Sequence, residues 1–458
     1  MTWKYSLALF LFFVGLYLLT SPGHLYTIDS EVSYETTQSL VTRGNLDVSG
    51  NRITVKDAEG HSTGRYGLLQ MVLCIPLYWG GQAMDAMFPN PDFLYENWRI
   101  TLVATFNQFM AAVGLVLVYL ILRELGGKHP ACFAATLSLG FATPWWTYSR
   151  DLFRQPIAGV LFLWAIWGVL RYGNSRRKSG LLEAAIATGL SITNRITVVV
   201  AWPGLFLLLV SRVWGENRKK ILQLISITTI LVTVGILLQI ATNYWRFGHW
   251  WGWAYTERIF SLSFIPRNVP DLLLSPARGL FLFCPALIFV FHGAMATWRK
   301  DRGLAAAIAL MFAAKMALFG TYYDYTGGMN PGPRYLIPIM PVLYLYVGVL
   351  AITEWKQKSF RYPFYFFSGI GFIANGFNSI TPYHLSMTFW DQVSRYFGIE
   401  KYEGRRPWDT KQEFYDVLIG RWILDGHYAV LVIYVTIIGA LIAVSLYWLL
   451  PTLRSREE

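Results

Sequence analysis

The sequence predicts an all-α integral membrane protein: about twelve transmembrane helices, with interfacial juxtamembrane helices in a large first outer loop. Three observations predict it. The 458 residues are 54% hydrophobic and only 14% charged, with a mean hydropathy of +0.38, whereas a soluble domain carries roughly 25% charged residues. Apolar runs of spanning length recur along the chain, more than a soluble core needs. Lysines and arginines lie in short clusters between those runs, the arrangement that orients a membrane protein. The net charge of +12 therefore reads as topology, and no nucleic-acid partner is expected.

Taken in order, the first span is 3–20. It resembles a signal peptide in outline but lacks a small-residue cleavage site after Thr20, so it reads as an uncleaved span with Lys4 inside. Residues 21–98 form the first extracytoplasmic loop. Within it, 67–88 is apolar but interrupted by Pro76, Gly80, Gly81 and Asp85. Positive charge decides its placement. If 67–88 does not cross, the clusters at Arg123/Lys128, Arg171–Lys178, Arg212–Lys220, Arg299–Arg302, Lys356–Arg361 and Arg454/Arg456 all fall inside; if it crosses, all fall outside. The positive-inside bias selects the first arrangement. Segment 67–88 is then interfacial or re-entrant, with Tyr78 and Trp79 near the headgroups.

The same argument splits 181–210, too long for one span and interrupted by Asn194-Arg195, into two short spans turning at that pair. The others are 100–122, 131–148, 156–170, 221–241, 279–296, 304–321, 335–352, 363–377 and 428–450. Both termini are inside, the last extracytoplasmic loop is 378–427, and the whole chain is one polytopic domain. Cys74, Cys132 and Cys284 lie in apolar stretches without metal-ligand spacing, as buried inert thiols do.

This topology gathers an unusual residue set outside. Arg150, Arg195, Arg246, Arg278 and Arg334 all lie at outer span ends, against the orientation bias. Guanidinium forks kept there suit an anionic ligand such as phosphate; each could equally pair with an acid or cap a helix. Asp29 and Glu31 begin an amphipathic helix with Val32, Thr36, Leu40 and Val41 on one face. Asp29 reads either as its N-cap or as a general base beside a low-dielectric surface. Glu35 belongs to a solvated face. Tryptophans 145, 146, 245, 250, 251 and 253 fit an interfacial belt or carbohydrate stacking. His249 reads as a loop histidine, and the seven histidines form no metal motif. The glycines and prolines of 327–334 fix a turn that aims Arg334 at the interface.

Three stretches carry a family resemblance: Ile28-Asp-Ser-Glu31 with Gly64-Arg-Tyr-Gly67; Ala142-Thr-Pro-Trp-Trp-Thr-Tyr-Ser-Arg150 with Arg154-Gln-Pro156; and Leu274-Ser-Pro-Ala-Arg-Gly-Leu280 with Gly327-Gly-Met-Asn-Pro-Gly-Pro-Arg-Tyr-Leu336. In these the chain resembles the GT-C type membrane glycosyltransferases, near the bacterial relatives of protein O-mannosyltransferases and the lipid A aminoarabinose transferase. The resemblance implies an inverting transfer of a hexose or pentose from a polyprenyl-phosphate donor to a hydroxyl of a lipid, glycan or protein. The reaction would occur on the extracytoplasmic face of the inner or plasma membrane. It implies Asp29 as base, with Glu31 orienting the acceptor. The expected substrate-binding residues are Arg65, Tyr66, Arg150, Asp151, Arg195, His249, Arg278, Asp324 and Arg334, with Arg278 and Arg334 on the leaving phosphate. Many relatives carry an acid where this chain has Gln155. No metal ligand is therefore assigned, a divalent metal is left open, and Asp151 is the candidate substitute.

The rival reading is a lipid-linked glycan transporter or polymerase. A transporter places charges near span midpoints and shows internal repeats. Here Lys315 alone lies deep in a run, and no repeat is evident. A membrane-embedded protease is weaker still, since no G-x-S-x-G or H-E-x-x-H motif occurs.

Overall fold

The computed structural model describes residues 3–49, 54–57, 59–89, 91–250, 260–328, 330–383, 386, 389–390 and 417–454. They form a helical bundle: α1 (Trp3–Leu18), α2 (Ile28–Thr42), α3 (Leu69–Met87), α4 (Trp98–Ala104), α5 (Phe106–Glu124), α6 (His129–Phe141), α7 (Pro144–Tyr148), α8 (Arg154–Ser175), α9 (Lys178–Asn194), α10 (Trp202–Val213) and α11 (Arg218–Phe247). There follow α12 (Ile265–Leu274), α13 (Leu280–Phe283), α14 (Val290–Lys300), α15 (Arg302–Gly320), α16 (Met340–Glu354), α17 (Lys358–Ile380), α18 (Leu418–Leu424) and α19 (Tyr428–Arg454).

Among the described residues, six helical stretches are long and apolar enough to cross a membrane: Trp98–Glu124, Arg154–Ser175, Ile196–Val213, Ile221–Phe247, Arg302–Gly320 and Tyr428–Pro451. The apolar α1 and α16 are shorter. Other expected spans are broken for visible reasons. Segment 279–296 divides into α13, a 3-10 turn (Pro285–Phe289) and α14, since Pro285 has no N–H for a continuous ladder. Segment 131–148 divides into α6 and α7, with Thr143 capping Trp145 ahead of Pro144. The expected break at Asn194-Arg195 is present: α9 stops at Asn194, Arg195 is extended, and a 3-10 turn (Ile196–Ala201) leads into α10. An addition to the all-helical expectation is a small antiparallel hairpin, β1 (Thr54–Lys56) with β2 (Ser62–Gly64), in the first loop.

Small residues let the helices approach closely, the device that replaces hydrophobic driving force within a bilayer. Gly168 of α8 lies on the Gly180 carbonyl of α9, and Gly235 of α11 lies on Gly189 of α9. The Gly293 site of α14 faces the Tyr346 carbonyl of α16. α11 and α19 keep apolar side chains such as Leu222, Ile230, Leu237, Val432 and Ile437 exposed, as lipid-facing helices do.

The bundle has two chemically different ends. One carries the basic clusters, several in ion pairs: Arg171–Glu183 at 2.8 Å, Arg176–Glu216 at 3.0 Å, and Arg212–Asp301. α8 leads away from that end to Arg154, α9 to Asn194, α11 to Arg246 and α15 to Phe319. These termini, with α2, meet around one large cavity.

In the first loop, α3 packs against α2 and α4 and is anchored by Asp85, which accepts from Trp98 N and pairs with Arg99 at 2.7 Å. Val72, Leu73, Trp79, Met87 and Phe88 are exposed, whereas Tyr78 is buried. Of the two aromatic residues expected near headgroups, only Trp79 is exposed.

Candidate active site

The cavity has a volume of about 740 Å³ and is lined from seven separated parts of the chain, with five arginines (Arg65, Arg154, Arg195, Arg246, Arg334) and two carboxylates (Asp29, Asp324) on its walls. Tyr66, Gln155, Asn194, Gln239 and Asn243 add polar groups, while Phe319, Tyr322, Tyr335, Phe247 and Trp250 supply aromatic surface.

Asp29 is the centre of the charge arrangement. The N-cap of α2 is Thr27, whose hydroxyl accepts from Ser30 N at 3.3 Å. This corrects the capping alternative for Asp29 and leaves its carboxylate in the first turn, where the helix dipole favours negative charge. Arg334 binds one carboxylate oxygen and the Tyr66 hydroxyl donates to the other. Burial alone would push this carboxyl up. The Arg334 and Arg154 guanidinium groups and the Tyr66 hydrogen bond outweigh it and hold the group at about 2. Arg334 is in turn raised above its ordinary value: burial lowers it, but the Asp29 charge prevails.

The buried side of α2 is lined by hydroxyls rather than by the expected apolar stripe. Val32 and Thr36 are buried, while Leu40 and Val41 are half-buried. Ser33, Thr36 and Thr37 donate back to the carbonyls of Asp29, Val32 and Ser33 at 2.6, 2.7 and 3.0 Å.

Asp151 has a different position from the one expected. Fully buried behind α2, it accepts from Tyr26 N at 3.3 Å and from the Thr27 hydroxyl at 2.9 Å. Burial pushes its carboxyl up, against hydrogen bonds from Ser30, Leu152, Thr27 and Tyr26. It fixes the entry to α2 and does not line the cavity.

Arg150 is also buried; it donates to the carbonyls of Thr20, Asn378 and Thr381 at 3.0 to 3.2 Å and to the Tyr26 hydroxyl. Arg278 holds the 326–330 loop by donating to the carbonyls of Thr326, Gly328 and Asn330 at 3.1, 2.8 and 3.0 Å. That loop needs glycine, because Gly327, Gly328 and Gly332 have φ of +71°, +86° and +76°. Arg334, which also bonds Gly327 O at 2.6 Å, is thereby aimed into the cavity. Arg150 and Arg278 are thus loop-holding residues outside the lining, which moves the phosphate assignment away from Arg278. Glu31 is exposed and outside the lining. Its carboxyl is raised by partial burial and by Glu35, Asp151 and Glu96. His249 is exposed and also lies outside the lining. Trp251, Trp253 and His384, with most of 378–427, lie outside the described residues.

Two cavity arginines were not selected from the sequence. Arg154, at the start of α8, donates to the Ser33 hydroxyl at 2.5 Å and stacks 3.4 Å from the Tyr66 ring centroid. Its signal was its position four residues past Arg150, at the outer start of the next span. Arg246 donates to Gly64 O at 3.0 Å and to Tyr66 O, tying the first loop to α11. It was noted as an arginine against the bias, without a ligand role. The aromatic wall was partly legible. Trp250 lines the cavity, stacked on Tyr244 at 4.2 Å, whereas Trp145 and Trp146 are core residues donating to Ala111 O and Thr20 Oγ1. Phe319 and Tyr335 stack in parallel at 4.4 Å.

As for metal ligands, Asp47, Asp57 and His61 on the hairpin bring ligand atoms within 4.8 Å of one another. They lie outside the cavity lining. Gln155, in the lining, offers a neutral amide.

A sequence-family model described as dolichyl-phosphate-mannose-protein mannosyltransferase matches residues 94–238. No curated protein matches the chain as a whole. In fold the chain is similar to ArnT from Cupriavidus metallidurans bound to undecaprenyl phosphate, with a TM-score of 0.53 and 14% identity over 98% of this chain and 75% of that one. The apo state of the same protein gives 0.53 and 13% over the same shares. The archaeal oligosaccharyltransferase AglB from Archaeoglobus fulgidus, in complex with an inhibitory peptide and a dolichol-phosphate, gives 0.50 and 13% over 86% of this chain and 56% of that one. As the sequence motifs implied, the chain is a multi-span membrane protein with the GT-C glycosyltransferase fold.

Proposed function

We propose that the chain transfers a sugar, with inversion, from a polyprenyl-phosphate donor to an acceptor hydroxyl on the extracytoplasmic face. The observation that carries this reading is the Asp29 carboxylate, held ionised by Arg334 and Arg154 in a cavity lined by five arginines. A single displacement needs a base on one side of the anomeric carbon and stabilisation of the departing phosphate on the other. Arg195 is the leaving-phosphate contact best supplied by this geometry. Its side chain donates to Thr197 Oγ1 at 2.9 Å and lies 5.2 Å from the Tyr335 ring centroid. Among the described residues it has no carboxylate partner.

Asp29 paired with Arg334 is a weak proton acceptor. Donor phosphate drawing Arg334 toward itself raises the basicity of Asp29 at the point where the acceptor hydroxyl must be deprotonated. The similar fold of a protein bound to undecaprenyl phosphate supports the donor class. The basic clusters at the opposite end of the bundle support the extracytoplasmic placement. In this reading α3 lies in the interface, its exposed Trp79, Met87 and Phe88 among the headgroups.

The test is purified full-length protein in lipid nanodiscs, given undecaprenyl-phosphate-linked hexoses and pentoses with envelope lipid, glycan and protein acceptors. Release of undecaprenyl phosphate, with a product anomer opposite to the donor's, is expected. Transfer from nucleotide sugars alone, or retention of configuration, would contradict the proposal.

A further inference from the structure

α15 is an apolar helix of spanning length, yet it carries Lys315 fully buried. An ammonium inside a bilayer is expensive, and one without a counter-charge more so. Its Nζ donates to the backbone carbonyl of Thr197 at 2.7 Å and lies 5.5 and 5.9 Å from the ring centroids of Phe319 and Phe162. Among the described residues no carboxylate pairs with it. The charge that acts on it is of the same sign, the Arg195 guanidinium.

The Thr197 residue that accepts from Lys315 through its carbonyl also accepts from Arg195 Nε through its hydroxyl. It belongs to the 3-10 turn that replaces helix immediately after Arg195, and that turn has no side-chain cap. Arg195, Ile196 and Thr197 all line the cavity. A backbone released from regular helix at membrane depth needs an external donor to hold its carbonyls; Lys315 is that donor. Two cations thus converge on one wall, with the negative charge that would offset them lacking among the described residues. The missing partner is an anion entering the cavity.

We propose that Lys315 is a positioning residue for Arg195: it clamps the 195–197 turn so that the guanidinium faces the cavity, and the pair forms a cationic wall that receives the donor phosphate. The inference rests on the proposed transferase reading and adds to it which wall takes the phosphate. Lys315 is outside the cavity lining and acts through the turn that holds Arg195, without touching substrate.

The experiment measures binding of undecaprenyl phosphate, and donor KM and kcat, for full-length protein in nanodiscs. Lys315→Met is expected to weaken binding and raise donor KM by about tenfold, the worth of one charge-assisted contact. Acceptor KM should change little, while kcat should fall along with donor binding, because Arg195 also stabilises the departing phosphate. Lys315→Arg should recover most of the loss. Thr197→Val, which leaves the buried charge in place, should give a donor-selective defect of the same kind. Because Lys315 acts through Arg195, the double variant with Arg195→Met should be no worse than Arg195→Met alone.

Wild-type binding by a folded Lys315→Met, or strictly additive losses in the double variant, would overturn the proposal while leaving the transferase reading intact. If Lys315→Met does not fold, Thr197→Val with unchanged donor KM overturns it instead. A wild-type protein that binds no polyprenyl phosphate removes the transferase reading, and this inference with it.

Discussion

At the residue scale the site rests on pairing that sequence cannot display. Asp29 and Arg334 were both singled out, each from its own motif, but their separation of 305 positions along the chain hides that each is the other's partner. The arginine signal was real but not selective. A guanidinium at an outer span end can hold a loop, as Arg150 and Arg278 do, or face the cavity, as Arg195 does. Only the fold tells them apart. The Asp29–Arg334 pair makes two predictions. Because folding depresses the Asp29 carboxyl to about 2, its stabilising contribution is complete above about pH 4 and lost as pH falls from there through about 2. Thermal midpoints measured down that range should fall more steeply for wild type than for Asp29→Asn. Removing the other partner strands a largely buried carboxylate. Arg334→Met should cost about 3 kcal/mol in stability, and adding Asp29→Asn should recover part of it. A double variant as unstable as the sum of the two would show that the ion pair is not what couples them.

At the element scale the site depends on close approach of backbones. The break in 181–210 was legible because a bilayer limits span length and because Asn194-Arg195 cannot lie unpaired in lipid. That the following segment is a 3-10 turn was not legible, since its Thr197 carbonyl is held by Lys315 from a distant helix. Nor was the role of Gly67. A Cβ there would run into the carbonyl oxygens of Thr193 and Asn194. Gly67 is what lets the Arg65–Tyr66 segment of the first loop lie against the end of α9. Gly67→Ala should therefore push Tyr66 away from Asp29 and reduce turnover by about a hundredfold, as displacements near 1 Å do in preorganised sites. The check is steady-state kinetics beside a thermal midpoint, and full turnover in the folded variant would contradict it.

At the scale of the whole molecule, the basic clusters predict an orientation from sequence, and the bundle puts them at the end opposite the cavity. What composition could not supply was the convergence of seven separated segments, which depends on how α8, α9, α11 and α15 pack through glycine contacts. The orientation is open to direct labelling. The three cysteines of the chain are buried, so background reaction should be low. In right-side-out vesicles Ser49→Cys should react with an impermeant thiol reagent, and Arg177→Cys only after the membrane is opened. The reverse pattern would put the cavity on the cytoplasmic side.

The most direct test of the account is release of undecaprenyl phosphate from an undecaprenyl-phosphate sugar by protein in nanodiscs with acceptor present, compared between wild type and Asp29→Asn. The account predicts turnover by wild type and a loss of at least about a hundredfold in the folded variant, the scale of a general base. Equal release by both would contradict it.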